Sequence, residues 1–136
     1  MFVTIDDKVS VYGQLTADHL PLAQAQGFAT IVNNRPDDEQ PGQPSGAEIA
    51  AAAEAAGLAY VAIPIDHRGF AEAQVATMAE TLDRADGPVL AFCRSGTRST
   101  FLWALARARL GDDADSLVAK AAAAGYDITP LRPALG

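Results

Sequence analysis

Cysteine is nearly absent from this sequence: its 136 residues contain one. A lone Cys excludes an internal disulfide and any multi-cysteine metal site. Histidine is almost as scarce. The two present, His19 and His67, are too far apart to form a zinc-ligand pair, and neither a metal nor a cofactor is expected. Positive charge is also short. Ten Lys+Arg face 17 Asp+Glu, a formal net charge of -7. Such a chain is repelled by nucleic acid and by anionic membrane surfaces, so neither is expected as a partner. The longest apolar stretch, Ile49 to Ile65, is interrupted by Glu54 and Gly57 and cannot span a bilayer. The segment Met1 to Asp7 has no basic run followed by an apolar one. No signal peptide is therefore read, and a cytoplasmic location is expected.

What is present reads as one domain over residues 1–136 with one sizeable core. Four apolar runs have strand character: Val9 to Tyr12, Phe28 to Asn33, Leu58 to Ile65 and Pro88 to Phe92. Helical patterns separate them. The first begins at Thr16 and stops at Gly27, and Ser45 with Glu48 opens a second that Gly57 ends. Val75, Met78, Ala79 and Leu82 recur at helical spacing in a third. A fourth runs from Thr100 to Leu110, and a last one, capped by Asp112, Asp113 or Asp115, ends at Gly125. Strands alternating with helices predict an α/β fold of three layers (αβα) around a mainly parallel sheet of four to five strands. The direction of the N-terminal strand is left open, an antiparallel edge being one outcome.

Open α/β sheets bind ligands beyond the carboxyl ends of their parallel strands. Three such ends are readable: Asn34-Arg35-Pro36-Asp37, Asp66-His67-Arg68-Gly69 and Cys93 to Ser99. Four of the ten basic residues, Arg35, Arg68, Arg94 and Arg98, fall in them, so an anion site is expected on one edge of an acidic protein. In the third, a strand delivers Cys93 and a helix begins within a few residues. The backbone N–H groups of Ser95, Gly96, Thr97, Arg98 and Ser99 are then free to face an anion near the sulfur. Gly96 permits positive φ, and Arg98 adds a planar cation. The first anion so favoured is the Cys93 thiolate, a nucleophile. Ser99 or Thr100 is expected to donate to the sulfur. A Cys packed as a small hydrophobe would need none of the arginines and hydroxyls that follow it.

Phe92-Cys93-Arg94-Ser95-Gly96-Thr97-Arg98-Ser99, with Thr30-Ile31-Val32-Asn33-Asn34-Arg35-Pro36-Asp37, Gly13-Gln14-Leu15-Thr16 and Ala124-Gly125-Tyr126-Asp127, resembles the bacterial β-lactamase-hydrolase-like family, phosphatase-like domain. The resemblance covers nearly the whole chain. It implies a tyrosine-phosphatase-like fold of the dual-specificity kind. Some members are labelled sulfur transferase, and fusion to sulfide-oxidising or persulfide-handling enzymes implies a persulfide-metabolising protein partner. The loop departs from the tyrosine-phosphatase pattern, in which five residues separate Cys from Arg; here four separate Cys93 from Arg98, and Phe92 stands where a His is usual. The tighter loop resembles that of rhodaneses, which cradle a persulfide sulfur.

Two enzymatic readings follow, both acting on a small anionic substrate. In the leading one, a sulfurtransferase, the Cys93 thiolate takes a sulfane sulfur from thiosulfate or a low-molecular-weight persulfide. Arg94 or Arg35 guides the anion, Arg35, Asp66 and Arg68 share the rim of the site, and Arg98 with the loop holds the Cys93 persulfide. The alternative is a phosphatase working through a Cys93 phosphocysteine, with Arg98 clamping the phosphoryl oxygens and Asp66 as general acid. A third, a non-catalytic anion or persulfide sensor, does not need the nucleophile. Asp66 is equally readable as a loop residue paired with Arg68, and Arg35 as a tie to Asp37, Asp38 or Glu39. His67 is expected to be exposed, His19 structural, and Trp103 and Phe101 core. Tyr126 is expected to pack against the sheet, with a place in the pocket wall as the alternative. Oligomeric state is not readable.

Overall fold

The computed structural model describes residues 1–136. Its strands are β1 (Val3–Thr4), β2 (Val9–Tyr12), β3 (Thr30–Asn33), β4 (Ala59–Ala62) and β5 (Val89–Phe92). Its helices are α1 (His19–Ala25), α2 (Gly46–Ala55), α3 (Glu72–Arg84), α4 (Thr97–Arg109) and α5 (Ala114–Ala123), followed by a 3₁₀ turn over Thr129–Ala134. The strands form one mixed sheet in the order β1-β2-β5-β3-β4, parallel except for β1, which runs antiparallel to β2. The first strand read from the sequence, Val9 to Tyr12, is therefore not the edge but an interior parallel strand. The antiparallel edge is β1, whose two residues are too few for a periodicity to register.

Alternation along the strands builds the layers. Val9, Val11, Val32, Val89 and Ala91 face α3, α4 and α5, where Met78, Leu82, Leu102, Trp103 and Leu117 complete a core of 19 buried residues. Ile31, Leu90 and Phe92 face the other way, against Leu20 and Ala23 of α1 and Ile49 and Ala53 of α2. The three-layer α/β sandwich read from the sequence is thus the observed one. The starts of α2 and α5 are set by local side chains. Ser45 accepts from the Glu48 N–H at 3.1 Å, and Asp113 is the residue that caps α5, accepting from Ser116. The sole tryptophan, fully buried on α4, donates its indole N–H to Asp6 at 2.8 Å, tying the helix behind the Cys93 loop to the β1–β2 turn.

Candidate active site

The central strand β5 ends at Phe92, paired with Tyr12 of β2 on one side and Asn33 of β3 on the other. Cys93 follows directly and is 1% exposed. Gly96, the N-cap of α4, sits at φ 88° and ψ -10°, a left-handed conformation that carries a penalty for residues with a Cβ. That conformation turns its N–H onto the Cys93 Sγ at 3.1 Å. Beyond it, the N–H groups of Thr97, Arg98 and Ser99 form the first turn of α4, where no preceding carbonyl can accept them. Sulfur and unpaired donors thus lie together at the positive end of a 13-residue helix.

Arg98 is fixed beside this cradle by three bonds. It donates to the Ile65 carbonyl at 2.7 Å and to both oxygens of Glu39, at 2.7 and 2.9 Å. Its pKa is raised, chiefly by the Glu39 hydrogen bond, and the nearby Cys93 charge adds to the effect. Glu39 also accepts from Arg35 Nε at 2.8 Å. Its carboxyl is held below the usual range, first by Arg98 and, after burial acts against it, by Arg35. Arg35 is itself 4% exposed and donates further to Gln14 and Gln40, at 3.0 Å each. One carboxylate therefore bridges two of the arginines picked out from the sequence. Of the three acidic residues read as ties for Arg35, the partner is Glu39, four residues on. Asp37 instead accepts from the Gly46 N–H at the start of α2.

Other expected residues fall elsewhere. Ser99 is fully buried, and its hydroxyl donates to Asn34 Oδ1 at 2.7 Å; Thr100 donates to the Gly96 carbonyl at 2.8 Å. Neither hydroxyl is turned to the sulfur, because each has a closer oxygen acceptor. Ser95 and Thr97 are bonded to each other through their hydroxyls at the outer side of the loop, so its polar side chains do not line its floor. Asp66 and Arg68 form a surface pair, with bonds of 2.7 to 3.1 Å and an Arg68 side chain 82% exposed. The Arg68 hydrogen bonds hold the Asp66 carboxyl at about 2. His67 and Arg94 are exposed.

Tyr126 fills both places open to it: its ring packs against the core on the sheet, and its hydroxyl reaches the wall of the site. The end of α5 closes with the Tyr126 N–H on the Ala121 carbonyl and Gly125 at φ 95°, a Schellman turn. This carries the phenol over the Cys93 loop, where it donates to the Ser95 carbonyl at 3.0 Å. A Cβ on Gly96 would overlap its hydroxyl. Burial, and secondarily the Cys93 charge, raise its pKa. Gln14, Asn34, Glu39 and Tyr126 all shape the site; sequence reasoning offers only Tyr126 a place in it, as the second of two readings, and gives the other three none. The first, second and fourth lie in the motifs that carry the family resemblance, which is the signal that could have found them.

Residues 1–110 match the family model described as beta-lactamase hydrolase-like protein, phosphatase-like domain. The beta-lactamase hydrolase-like protein of Agrobacterium fabrum is 39% identical over 106 residues, and that of Xylella fastidiosa (strain Temecula1) 34% over 127. These matches cover 78% and 93% of this chain but 25% and 30% of the relatives, so the chain spans under a third of their length. A solved structure of a candidate phosphatase from Neisseria meningitidis Z2491 superposes with a TM-score of 0.83 at 34% identity, covering 98% of this chain and 94% of that one. Tk-PTP in its active form superposes at 0.76 with 19% identity over 98% and 92%, a likeness of fold.

Proposed function

Because the chain belongs to the phosphatase-like domain family of beta-lactamase hydrolase-like proteins, we propose that it hydrolyses phosphomonoesters through a phosphocysteine on Cys93. The observation that carries this is the cradle: a buried sulfur at the N-terminus of α4, faced by the Gly96 N–H, with Arg98 fixed alongside. The Cys93 thiolate attacks phosphorus; an S–P bond forms and the ester P–O bond breaks. Arg98 and the first-turn N–H groups take up the charge on the phosphoryl oxygens. Water then attacks phosphorus, the P–S bond breaks, and thiolate and inorganic phosphate are restored. Relative to the expectation from loop length, the order of the two enzymatic readings is reversed, since family and fold favour phosphate.

The proton inventory narrows the substrate. The departing oxygen needs a proton unless its own conjugate acid is strong. Glu39 and Asp66 are both held below their usual range, and Asp66 is paired with Arg68. With both carboxylates paired to arginines, neither is free to bring a proton to the departing oxygen, and aryl phosphates, whose phenoxide leaves more readily than an alkoxide, are the substrate class. Kinetics on a series of aryl and alkyl phosphates tests this. Phosphate release should fall steeply with leaving-group basicity and disappear, by at least about 10³-fold, in Cys93→Ser. Release that survives Cys93→Ser would refute the reading.

Sulfur transfer is supported by two specific features: the four-residue spacing from Cys93 to Arg98, and the arginine pairing that ties up both Glu39 and Asp66. In that chemistry the thiolate attacks the sulfane sulfur of thiosulfate, the S–S bond breaks, and sulfite leaves with the electron pair and without a proton. An acceptor thiolate then takes the outer sulfur. A chain heavier by one sulfur after incubation with thiosulfate, and relieved of it by a thiol, would favour this reading over phosphate.

A further inference from the structure

We propose that Tyr126 is a positioning residue for Cys93: its O–H clamps the Ser95–Gly96 peptide so that the Gly96 N–H faces the sulfur. The inference rests on the reading of Cys93 as the nucleophile. In a trans peptide the C=O and N–H point to opposite sides of the chain. Here the two ends of one peptide have two partners. The Ser95 carbonyl accepts from Tyr126 at 3.0 Å, and the Gly96 N–H donates to Sγ at 3.1 Å. Turned over, the same peptide would present a carbonyl oxygen to the sulfur and oppose the thiolate.

Gly96 is the reason a clamp is needed. The residue that permits φ 88° has no Cβ to hinder rotation of the peptide before it. The neighbouring hydroxyls do not supply the constraint, because Ser95 and Thr97 bond to each other and Thr100 holds only the far side of Gly96, at the Gly96 carbonyl. Tyr126 bonds the Ser95 oxygen from outside the loop, across 31 residues of chain. The Schellman turn at Gly125 aims the phenol from a separate helix, so the clamp is independent of the loop it holds. The raised pKa of Tyr126 keeps the phenol a donor throughout the neutral range. Each member of the motif Ala124-Gly125-Tyr126-Asp127 beyond its alanine then has a role. Gly125 turns the chain, Tyr126 clamps the loop, and Asp127 accepts from the Thr129 N–H to fix the exit.

The test replaces Tyr126 by Phe, which keeps the ring and removes the hydroxyl. Thiolate formation is followed by ultraviolet absorbance against pH, each protein referenced to its own Cys93→Ser counterpart, and by the rate of alkylation of the single thiol. Weakening the Gly96 donor should move the thiolate midpoint upward by about 0.5–1 pH unit, with thermal stability nearly unchanged. An unmoved midpoint in a folded Tyr126→Phe overturns the proposal. A second measurement does not depend on that variant. In Cys93→Ser the phenol titration of Tyr126, followed by NMR of ring-labelled tyrosine and assigned with Tyr12→Phe and Tyr60→Phe, should shift downward. No shift there also overturns it. Neither readout needs turnover. A chain without phosphatase activity can still pass both, and an active one can fail both, so the two readings fall separately.

Discussion

Two turns at the carboxyl end of this sheet look alike in sequence and differ in everything that matters for chemistry. Cys93 to Ser99 and Asp66 to Gly69 each follow a strand and each carry arginine beside a reactive side chain. In the first, the sulfur is 1% exposed and the peptide beside it is bonded at both ends, while Ser99 is locked to Asn34. In the second, the reactive group is a carboxylate paired to an arginine whose side chain is 82% exposed, over an interval of two residues. Burial enforces the geometry of the sulfur and of Ser99 in one, because an unsatisfied polar group there carries a large penalty. In the other, water can replace every partner. A strand-end arginine is therefore no guide by itself to a built anion site; long-range partners are.

The contrast can be broken most severely at Gly96. Gly96→Ala must adopt φ 88° with a Cβ that overlaps the Tyr126 hydroxyl. We expect a loss of about 1–3 kcal/mol in denaturant unfolding and a fall in phosphate release of at least about 10²-fold. Glu39→Gln is expected to act less strongly, by loosening Arg98 without emptying the cradle. Its kcat/KM on an aryl phosphate should drop about tenfold and its stability at neutral pH by about 1 kcal/mol. The sign with pH follows from the lowered Glu39 pKa. The stabilisation is fully present above the unfolded value and is lost as pH falls through the folded one, so the gap between Glu39→Gln and wild type should close in acid. A gap independent of pH would mean that the carboxylate charge is not what holds Arg98. The smallest effects belong to the exposed turn. Asp66→Asn and Arg68→Ala should leave the thermal midpoint essentially unmoved and change turnover of an aryl phosphate by less than about threefold. A larger fall for Asp66→Asn would restore Asp66 as the proton donor.

The same division decides what the sequence can disclose. Strands, helices and the Cys93 loop are legible because each depends on neighbours in sequence: alternation, capping residues, a glycine at a turn. The loop's hydroxyls are not, since Ser99 chooses Asn34 across 65 residues and no local pattern encodes that choice. Glu39 sits in the acidic run Asp37-Asp38-Glu39, whose members are interchangeable in sequence as ties for Arg35. The structure gives its first and third members separate roles, at the start of α2 and between two arginines. Tyr126 reads as a packing residue because apolar context dominates the end of α5; only the Schellman turn reveals where its hydroxyl goes.

The strand order β1-β2-β5-β3-β4 has a consequence for how the molecule comes together. β2 and β3 lie on opposite sides of β5, which is the last strand in the chain, so neither half of the sheet can join the other until residues Val89–Phe92 arrive between them. Closing that gap requires contacts of large sequence separation, which are slow to form. During synthesis the earlier strands would wait as two unjoined pieces, β1–β2 and β3–β4, with their inner edges open to mispairing. The final insertion completes the sheet and, in the next residue, delivers Cys93. Assembly of the surroundings of Cys93 is thus the same event as closure of the fold, and a half-folded chain carries a thiol with no cradle around it.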